Sequence, residues 1–126
     1  MGPCGPLAYA EALVTAVDEA RAAAGVAPLL GCECLTAAAL DQAASLLGSA
    51  ELTPALASDL LTACSPATRA EQLLSRGAET PSGVVAQWLA SEELRGRLLD
   101  PELLEDGVGC VLDRGELLCS FVLVGR

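Results

Sequence analysis

The chain is 126 residues long, carries a formal net charge of −10 and is 52% hydrophobic. This length suffices for a single domain with its own core, which we predict over residues 1–126. Seven arginines are its only strongly basic side chains, so the charge balance excludes nucleic acid and acidic membranes as partners. No apolar stretch approaches the roughly 20 residues that span a bilayer, so the chain is not transmembrane.

Two amphipathic helices are predicted in the N-terminal part. Apolar residues recur at helical spacing from about Leu7 to Ala24, and Gly25 ends that helix. An extended connector over 26–31 leads to a second helix over about 33–47. The sequence therefore begins with two helices joined by a short extended connector.

Two pairs of a small hydroxyl residue and proline follow. Thr53-Pro54 and Ser65-Pro66 each combine an N-cap residue with a proline suited to the first helical position. They predict short helices over about 54–63 and 66–76.

The last third predicts a helix followed by a β-hairpin. Thr80 and Pro81 suit an N-cap and a first helical position, and apolar residues follow at helical spacing to Leu89. Two apolar runs, at 108–112 and 117–124, then flank a short polar turn. This arrangement is typical of a hairpin.

The hairpin predicts a disulfide. If Arg114 and Gly115 are the two loop residues, Cys110 lies opposite Cys119 in a non-hydrogen-bonded pair. The Cα atoms of such a pair are about 4.5 Å apart, within reach of a disulfide. We therefore predict a Cys110–Cys119 bond; the alternative is two small buried thiols.

The other cysteines are Cys4, Cys32, Cys34 and Cys64. An even total of six favours a disulfide framework and an extracellular or other oxidising compartment. Neither a zinc motif nor a redox C-x-x-C is present. If all six cysteines pair, the bonds are either 4–32 with 34–64 or 4–34 with 32–64. No basic-then-apolar signal peptide opens the chain, so we expect either a cytosolic protein or a processed form that starts at Met1.

Several short motifs follow one another along the chain. Their positions are Val17, Asp18, Arg21, Gly25, Pro28, Leu29, Leu35, Ala39, Ala70, Glu71, Gln72, Leu73, Trp88, Ser91, Leu94, Arg95, Leu98, Leu99, Pro101, Val108 and Gly109. In this order and at this spacing they resemble the motifs of the CAP superfamily, which holds cysteine-rich secretory proteins, antigen 5 and plant pathogenesis-related proteins; its compact bacterial-type members are the most similar. The chain departs from the family pattern N-x-x-R-x-x-x-G-x-x-P-L with Asp18 in place of Asn, and from W-x-x-S-x-x-H-R-x-x-L-L-x-P with Leu94 in place of His.

The resemblance implies an α+β fold, an α-β-α sandwich with helices flanking a small antiparallel sheet. It also places 70–74 in or beside a strand, against the helix that the local signals predict. In the family a cleft holds two histidines and one or two acidic residues, which bind a divalent metal in some members. The two histidine positions correspond to Leu94 and to about Thr53 or Pro54 here, and Glu71 is the acidic residue that remains.

This degenerate cleft predicts a protein without catalysis, metal or cofactor. A single carboxylate cannot complete a transition-metal site, and we expect Glu71 to cap backbone amides instead. The chain has no histidine, so a serine or cysteine nucleophile lacks its usual base. A glycosidase carboxylate pair or a calcium site could come from an acidic cluster, although sugar-stacking aromatics and EF-hand spacing are missing. That cluster comprises Glu92, Glu93, Asp100, Glu102, Glu105 and Asp106.

We therefore predict a non-catalytic CAP-like binding or structural module, a subunit or accessory protein of a larger assembly with protein partners. The alternative is a secreted carrier of a small apolar ligand such as a sterol or fatty acid, and a hydrolase ranks third. Trp88, on the apolar face of its helix, is interpreted as a core residue.

Overall fold

The computed structural model describes residues 5–48, 69–77 and 80–125. None of the described helices is long and apolar enough to cross a membrane. The helix predicted over 54–63, together with Cys4, Thr53, Pro54 and Cys64, lies outside the described residues. The helices are α1 (Pro6–Ala23), α2 (Glu33–Ser45), α3 (Pro81–Ala90) and α4 (Glu92–Leu98). The strands are β1 (Leu30–Gly31), β2 (Arg69–Gly77), β3 (Leu103–Asp113) and β4 (Glu116–Gly125).

The four strands form one sheet with the order β1-β3-β4-β2. β3 and β2 pair with β4 in antiparallel fashion, whereas the two residues of β1 run parallel to β3. One core joins α1 and α3 to a sheet face, and a smaller core joins α2 to the opposite face. The predicted α-β-α sandwich is therefore confirmed, with a sheet that is antiparallel apart from β1.

The central strand β4 explains the unbroken apolar run near the end of the sequence. Phe121 and Leu123 belong to the larger core under α1 and α3, while Val122 and Val124 belong to the core under α2. A strand covered on both faces loses the apolar–polar alternation of a half-exposed strand. Trp88 of α3 packs edge-to-face on Phe121, with ring centroids 6.0 Å apart, which confirms Trp88 as a core residue.

The hairpin has the predicted register. Arg114 and Gly115 are the loop residues and adopt left-handed backbone angles, with φ values of 55° and 81°. Cys110 pairs with Cys119, and the two form a disulfide with a Cα–Cα distance of 4.1 Å. This short distance is that of a non-hydrogen-bonded pair.

The local prediction of a helix over 66–76 is wrong where the chain is described, because β2 occupies Arg69–Gly77. All nine residues of β2 pair with β4, from Arg69 opposite Gly125 to Gly77 opposite Leu117. Pairing with a partner strand distant in sequence outweighs a local helix-start signal, since strand preference depends mainly on tertiary neighbours. The CAP resemblance placed this segment correctly.

The expectation that all six cysteines pair fails at Cys32, which carries a free thiol. Cys34 is disulfide-bonded, and the two Sγ atoms lie 3.5 Å apart. The two cysteines are separated by one residue at the start of α2, and only Cys34 of the two is bonded. Both pairing schemes derived from the sequence required a bonded Cys32.

Candidate functional site

Glu71, the acidic residue that remains of the family's cleft, faces a guanidinium. Its Oε2 lies 3.4 Å from Nε of Arg97 on α4. Arg97 also donates from Nη2 to Oε1 of Glu93, one turn earlier on the helix, at 2.6 Å. One arginine therefore lies between two carboxylates and pairs with both. The predicted capping of backbone amides by Glu71 stays a prediction.

Leu94 stands where the family signature has a histidine. It lies on α4, one turn before Arg97, and packs partly buried against the larger core. Its backbone N–H donates to Oγ of the N-cap residue Ser91 at 3.4 Å. An aliphatic side chain thus fills this side of the cleft and offers no ligand or proton acceptor.

The acidic residues near the end of the chain do not converge on one site. Arg69 pairs with Asp100 at 2.7 Å and also with Glu102, whereas Asp106 is buried. Within the described ranges, no three His, Cys, Asp or Glu side chains are grouped as a metal site. Arginines hold three carboxylates of the cluster in ion pairs: Arg69 pairs with Asp100 and Glu102, and Arg97 pairs with Glu93.

Arg21, which matches the family motif, is 1% exposed and is the largest fully buried side chain among the described residues. Burial lowers its pKa, while nearby acidic side chains oppose that shift. The guanidinium donates four hydrogen bonds to backbone carbonyls. The acceptors are Ala27 at 2.8 Å, Leu98 at 2.8 Å, Asp100 at 3.2 Å and Leu103 at 3.1 Å. Arg21 thereby joins α1, the connector, the end of α4 and the start of β3.

Asp106 is a second buried charge close to Arg21, and the sequence did not reveal its burial. It is 2% exposed, and no described group donates a hydrogen bond to its Oδ2. Burial, reinforced by the charge of Asp18, raises the pKa of Asp106 to about 6, although Arg21 opposes the shift. Asp18 itself accepts a hydrogen bond from the backbone N–H of Leu29 at 3.3 Å.

Because the pKa of Asp106 is raised in the folded protein, we predict that the free energy of unfolding falls as pH rises from about 4 to about 6. Between the ordinary pKa of 3.8 and about 6, the folded protein keeps a proton that the unfolded chain has lost. The free energy of unfolding should therefore decrease across this window, by about 2–3 kcal/mol. In Asp106→Asn this contribution should disappear, which urea titrations at several pH values would measure through Trp88 fluorescence.

Asp113 provides a control, because its pKa is shifted in the opposite direction and its effect on stability therefore has the opposite dependence on pH. Its Oδ2 accepts from the N–H of Gly48 at 2.9 Å and from Arg76 at 2.7 Å, and both interactions lower its pKa. Its contribution is present above the ordinary pKa of 3.8 and is lost as pH falls. Asp113→Asn should therefore be less stable than wild type at neutral pH, with a difference that shrinks in acid. Parallel pH curves for wild type and Asp106→Asn would contradict the assignment.

An apolar cavity of about 350 Å³ lies where α1 and α2 meet β3. Two leucines that line it are unusually exposed: Leu7 is 76% exposed and Leu40 is 45% exposed. Here β3 is an edge, because β1 pairs with it only at Glu105 and Asp106 and no other described strand adjoins that side. The lining residues are Leu7, Ala10, Thr36, Leu40, Val108, Gly109 and Cys110.

Over residues 14–124 the chain matches the profile described as "CAP: Cysteine-rich secretory protein family". The matched range includes the residues of α1 that carry the family pattern and the hairpin of β3 and β4. A search of curated proteins finds none that matches this chain.

Among solved structures, a cysteine-rich secretory protein from Staphylococcus aureus superposes with a TM-score of 0.81 at 18% identity, over 96% of this chain and 40% of that chain. An extracellular protein containing an SCP domain, from Bacillus anthracis, gives 0.76 at 16% identity, over 100% and 45%. An outer surface protein from Borrelia burgdorferi gives 0.79 at 19% identity, over 92% and 90%. This chain thus spans less than half the length of the first two proteins. At these identities the likeness shows a shared fold.

Proposed function

This chain belongs to the cysteine-rich secretory protein (CAP) family, and from that premise we propose that it is a non-catalytic member that binds a partner protein. The observation that carries the proposal is the ion pair between Glu71 and Arg97. It neutralises the one acidic group that the family cleft retains, and Leu94 fills the histidine position beside it. Without histidine anywhere in the sequence, the cleft lacks the side chain that most often acts as a general base at neutral pH.

The edge of β3 is the surface proposed to bind the partner. Because Cys110 and Cys119 form a non-hydrogen-bonded pair, the N–H and C=O of Cys110 point away from β4, as do those of Val108 two residues earlier. The same alternation places the carbonyl of Asp106 outward, where it accepts the N–H of Cys32 at 3.0 Å. A partner strand could continue this ladder along β3.

The side chains around this edge define the partner's chemistry. Leu7 and Leu40 would cover apolar side chains of an added strand from the two faces of the sheet. Exposed carboxylates lie near both leucines, since Glu11 is one helical turn after Leu7 and Asp41 directly follows Leu40. In addition, α1 has no basic residue before Arg21. We therefore propose an extended segment with alternating apolar residues and basic flanks as the occupant.

The test uses a displayed library of 12-residue peptides, selected on the wild-type protein. Peptides with the proposed pattern should be enriched, and their binding should weaken at least tenfold in the Leu7→Glu/Leu40→Glu double variant, since each buried leucine contributes about 1.5–3 kcal/mol. Leu30→Glu, at a 69% exposed leucine outside the cavity, is the matched control. Bound peptide should also slow hydrogen exchange at the amides of Val108 and Cys110. Unchanged binding in the double variant would exclude this surface.

A carrier of a small apolar ligand is the second candidate, and the cavity favours it. A volume of about 350 Å³ lies at the small end of the range for ligand pockets, and its lining is almost wholly apolar. Native mass spectrometry of protein purified from its own source distinguishes the two functions. A co-purifying fatty acid or sterol that is lost in Leu40→Glu would favour the carrier over the strand-binding module.

We also propose an extracellular or other oxidising compartment. The supporting observations are the Cys110–Cys119 disulfide and structural neighbours described as an extracellular protein and an outer surface protein. Counting thiols by mass spectrometry in protein from its native source tests this proposal, because a reducing compartment would leave Cys110 and Cys119 as free thiols.

A further inference from the structure

The sequence Cys32-Glu33-Cys34 brings together a free thiol and a disulfide at the start of α2. Cys34 is disulfide-bonded, whereas Cys32 is a free thiol, and their Sγ atoms are 3.5 Å apart. Sulfur atoms at this distance are in van der Waals contact. Thiol–disulfide exchange requires a cysteine sulfur with access to a disulfide sulfur, and here the sulfur of Cys32 touches the bonded sulfur of Cys34.

We propose that Cys32 and Cys34 form a thiol–disulfide exchange site, in which the Cys32 thiolate attacks Sγ of Cys34. A Cys32–Cys34 bond forms and the present bond of Cys34 breaks. The departing sulfur takes the electron pair of the broken bond and then the proton that Cys32 lost. The number of disulfides and of thiols is unchanged, so the step needs neither an oxidant nor a reductant.

The geometry at the start of α2 favours the product. Cys32 is the N-cap of α2 and has an extended backbone, with φ −131° and ψ 122°, whereas Cys34 lies in the first turn. Side chains two positions apart inside a helix do not face each other, but here the two Sγ atoms are 3.5 Å apart. A disulfide S–S bond is about 2.05 Å long, so the new bond requires the two sulfur atoms to move about 1.5 Å closer.

Access distinguishes this site from the other disulfide. Cys34 is exposed and Cys32 is half-buried, so small reagents can reach the site. Cys110 and Cys119 are 6% and 0% exposed and bonded to each other across the hairpin. That buried pair serves as an internal reference that should not exchange.

The experiment maps disulfides in the native protein. Protein held at pH 8 is quenched in acid, blocked with N-ethylmaleimide and digested without reduction before mass spectrometry. We expect a peptide with Cys32 and Cys34 bonded to each other, alongside the form with free Cys32, while the Cys110–Cys119 peptide remains intact. Absence of the Cys32–Cys34 bond would overturn the proposal.

Cys32→Ser is the matched variant, because serine keeps a side chain suited to the N-cap. It locks the bond of Cys34 and so identifies its partner by peptide mapping. In wild type, N-ethylmaleimide should label that partner sulfur at least tenfold more than in Cys32→Ser, because exchange releases it as a thiol. Equal labelling in the two proteins would show that Cys32 does not attack Cys34.

Discussion

Replacing Arg21 with alanine should destabilise the protein by about 3–5 kcal/mol, because it leaves four backbone carbonyls without their shared donor and the buried carboxyl of Asp106 without its nearby positive charge. Two of those carbonyls lie at the end of α4, because Leu98 is its last residue and Asp100 lies two residues beyond it. At a helix end, the helix supplies no N–H to such carbonyls. The side chain therefore caps a helix from a distant part of the chain. Urea unfolding, followed through Trp88, the only tryptophan, would measure the loss.

Two further variants separate charge from geometry at this site. Arg21→Lys keeps a positive charge but lacks the planar fork of five donors, so it should recover only part of the stability. Arg95→Ala removes an exposed arginine of α4 and should change stability by less than about 0.5 kcal/mol. Because Arg21 holds down the pKa of Asp106, Arg21→Ala should also move the pH-dependent loss of stability to higher pH. Full stability of Arg21→Lys would show that charge alone matters here.

The second large effect is expected at Gly109, where α2 crosses β3. A Cβ atom there would lie 2.3 Å from the backbone N and Cα of Leu40, far closer than any van der Waals contact. Helix backbone cannot move aside as a flexible side chain can, so Gly109→Ala should displace α2 and cost about 3 kcal/mol. Gly107→Ala should behave similarly, since its Cβ would lie 2.2 Å from the carbonyl carbon of Leu35.

Gly96→Ala is the control for these substitutions. Nothing lies within 4 Å of the Cβ that it adds, and the residue is in the exposed part of α4. Alanine there should stabilise the helix by about 0.5–1 kcal/mol. The contrast would be measured by urea unfolding of the three variants in parallel. If Gly109→Ala were as stable as wild type, the close approach of α2 to β3 would be refuted.

Displacement of α2 also has a functional consequence. Leu40 and Gly109 both line the apolar cavity at the edge of β3, so the glycine sets the position of a leucine that the proposed partner contacts. Peptide binding should therefore weaken in Gly109→Ala even under conditions where the variant remains folded. The tight helix–sheet contact and the binding surface share the same few residues.

Part of this structure follows from the sequence because the responsible interactions are local. Thr80 accepts from the N–H of Gly83 at 3.1 Å, as its position before Pro81 predicted. The hairpin register and the Cys110–Cys119 bond follow from a two-residue loop, since the length of a hairpin loop fixes which residues of the two strands lie opposite each other.

The tertiary structure decided the rest, because burial and pairing depend on segments far apart in sequence. Residues 69–77 form a strand, against a local helix signal, because they pair along their whole length with β4. The four acceptors of Arg21 and the ion pair between Glu71 and Arg97 each join distant elements. The spacing of the motifs was enough to predict the family, and the composition alone shows that the chain has no histidine side chain. The exposed edge of β3 and the contact between the Cys32 thiol and Cys34 arise only when the chain is folded.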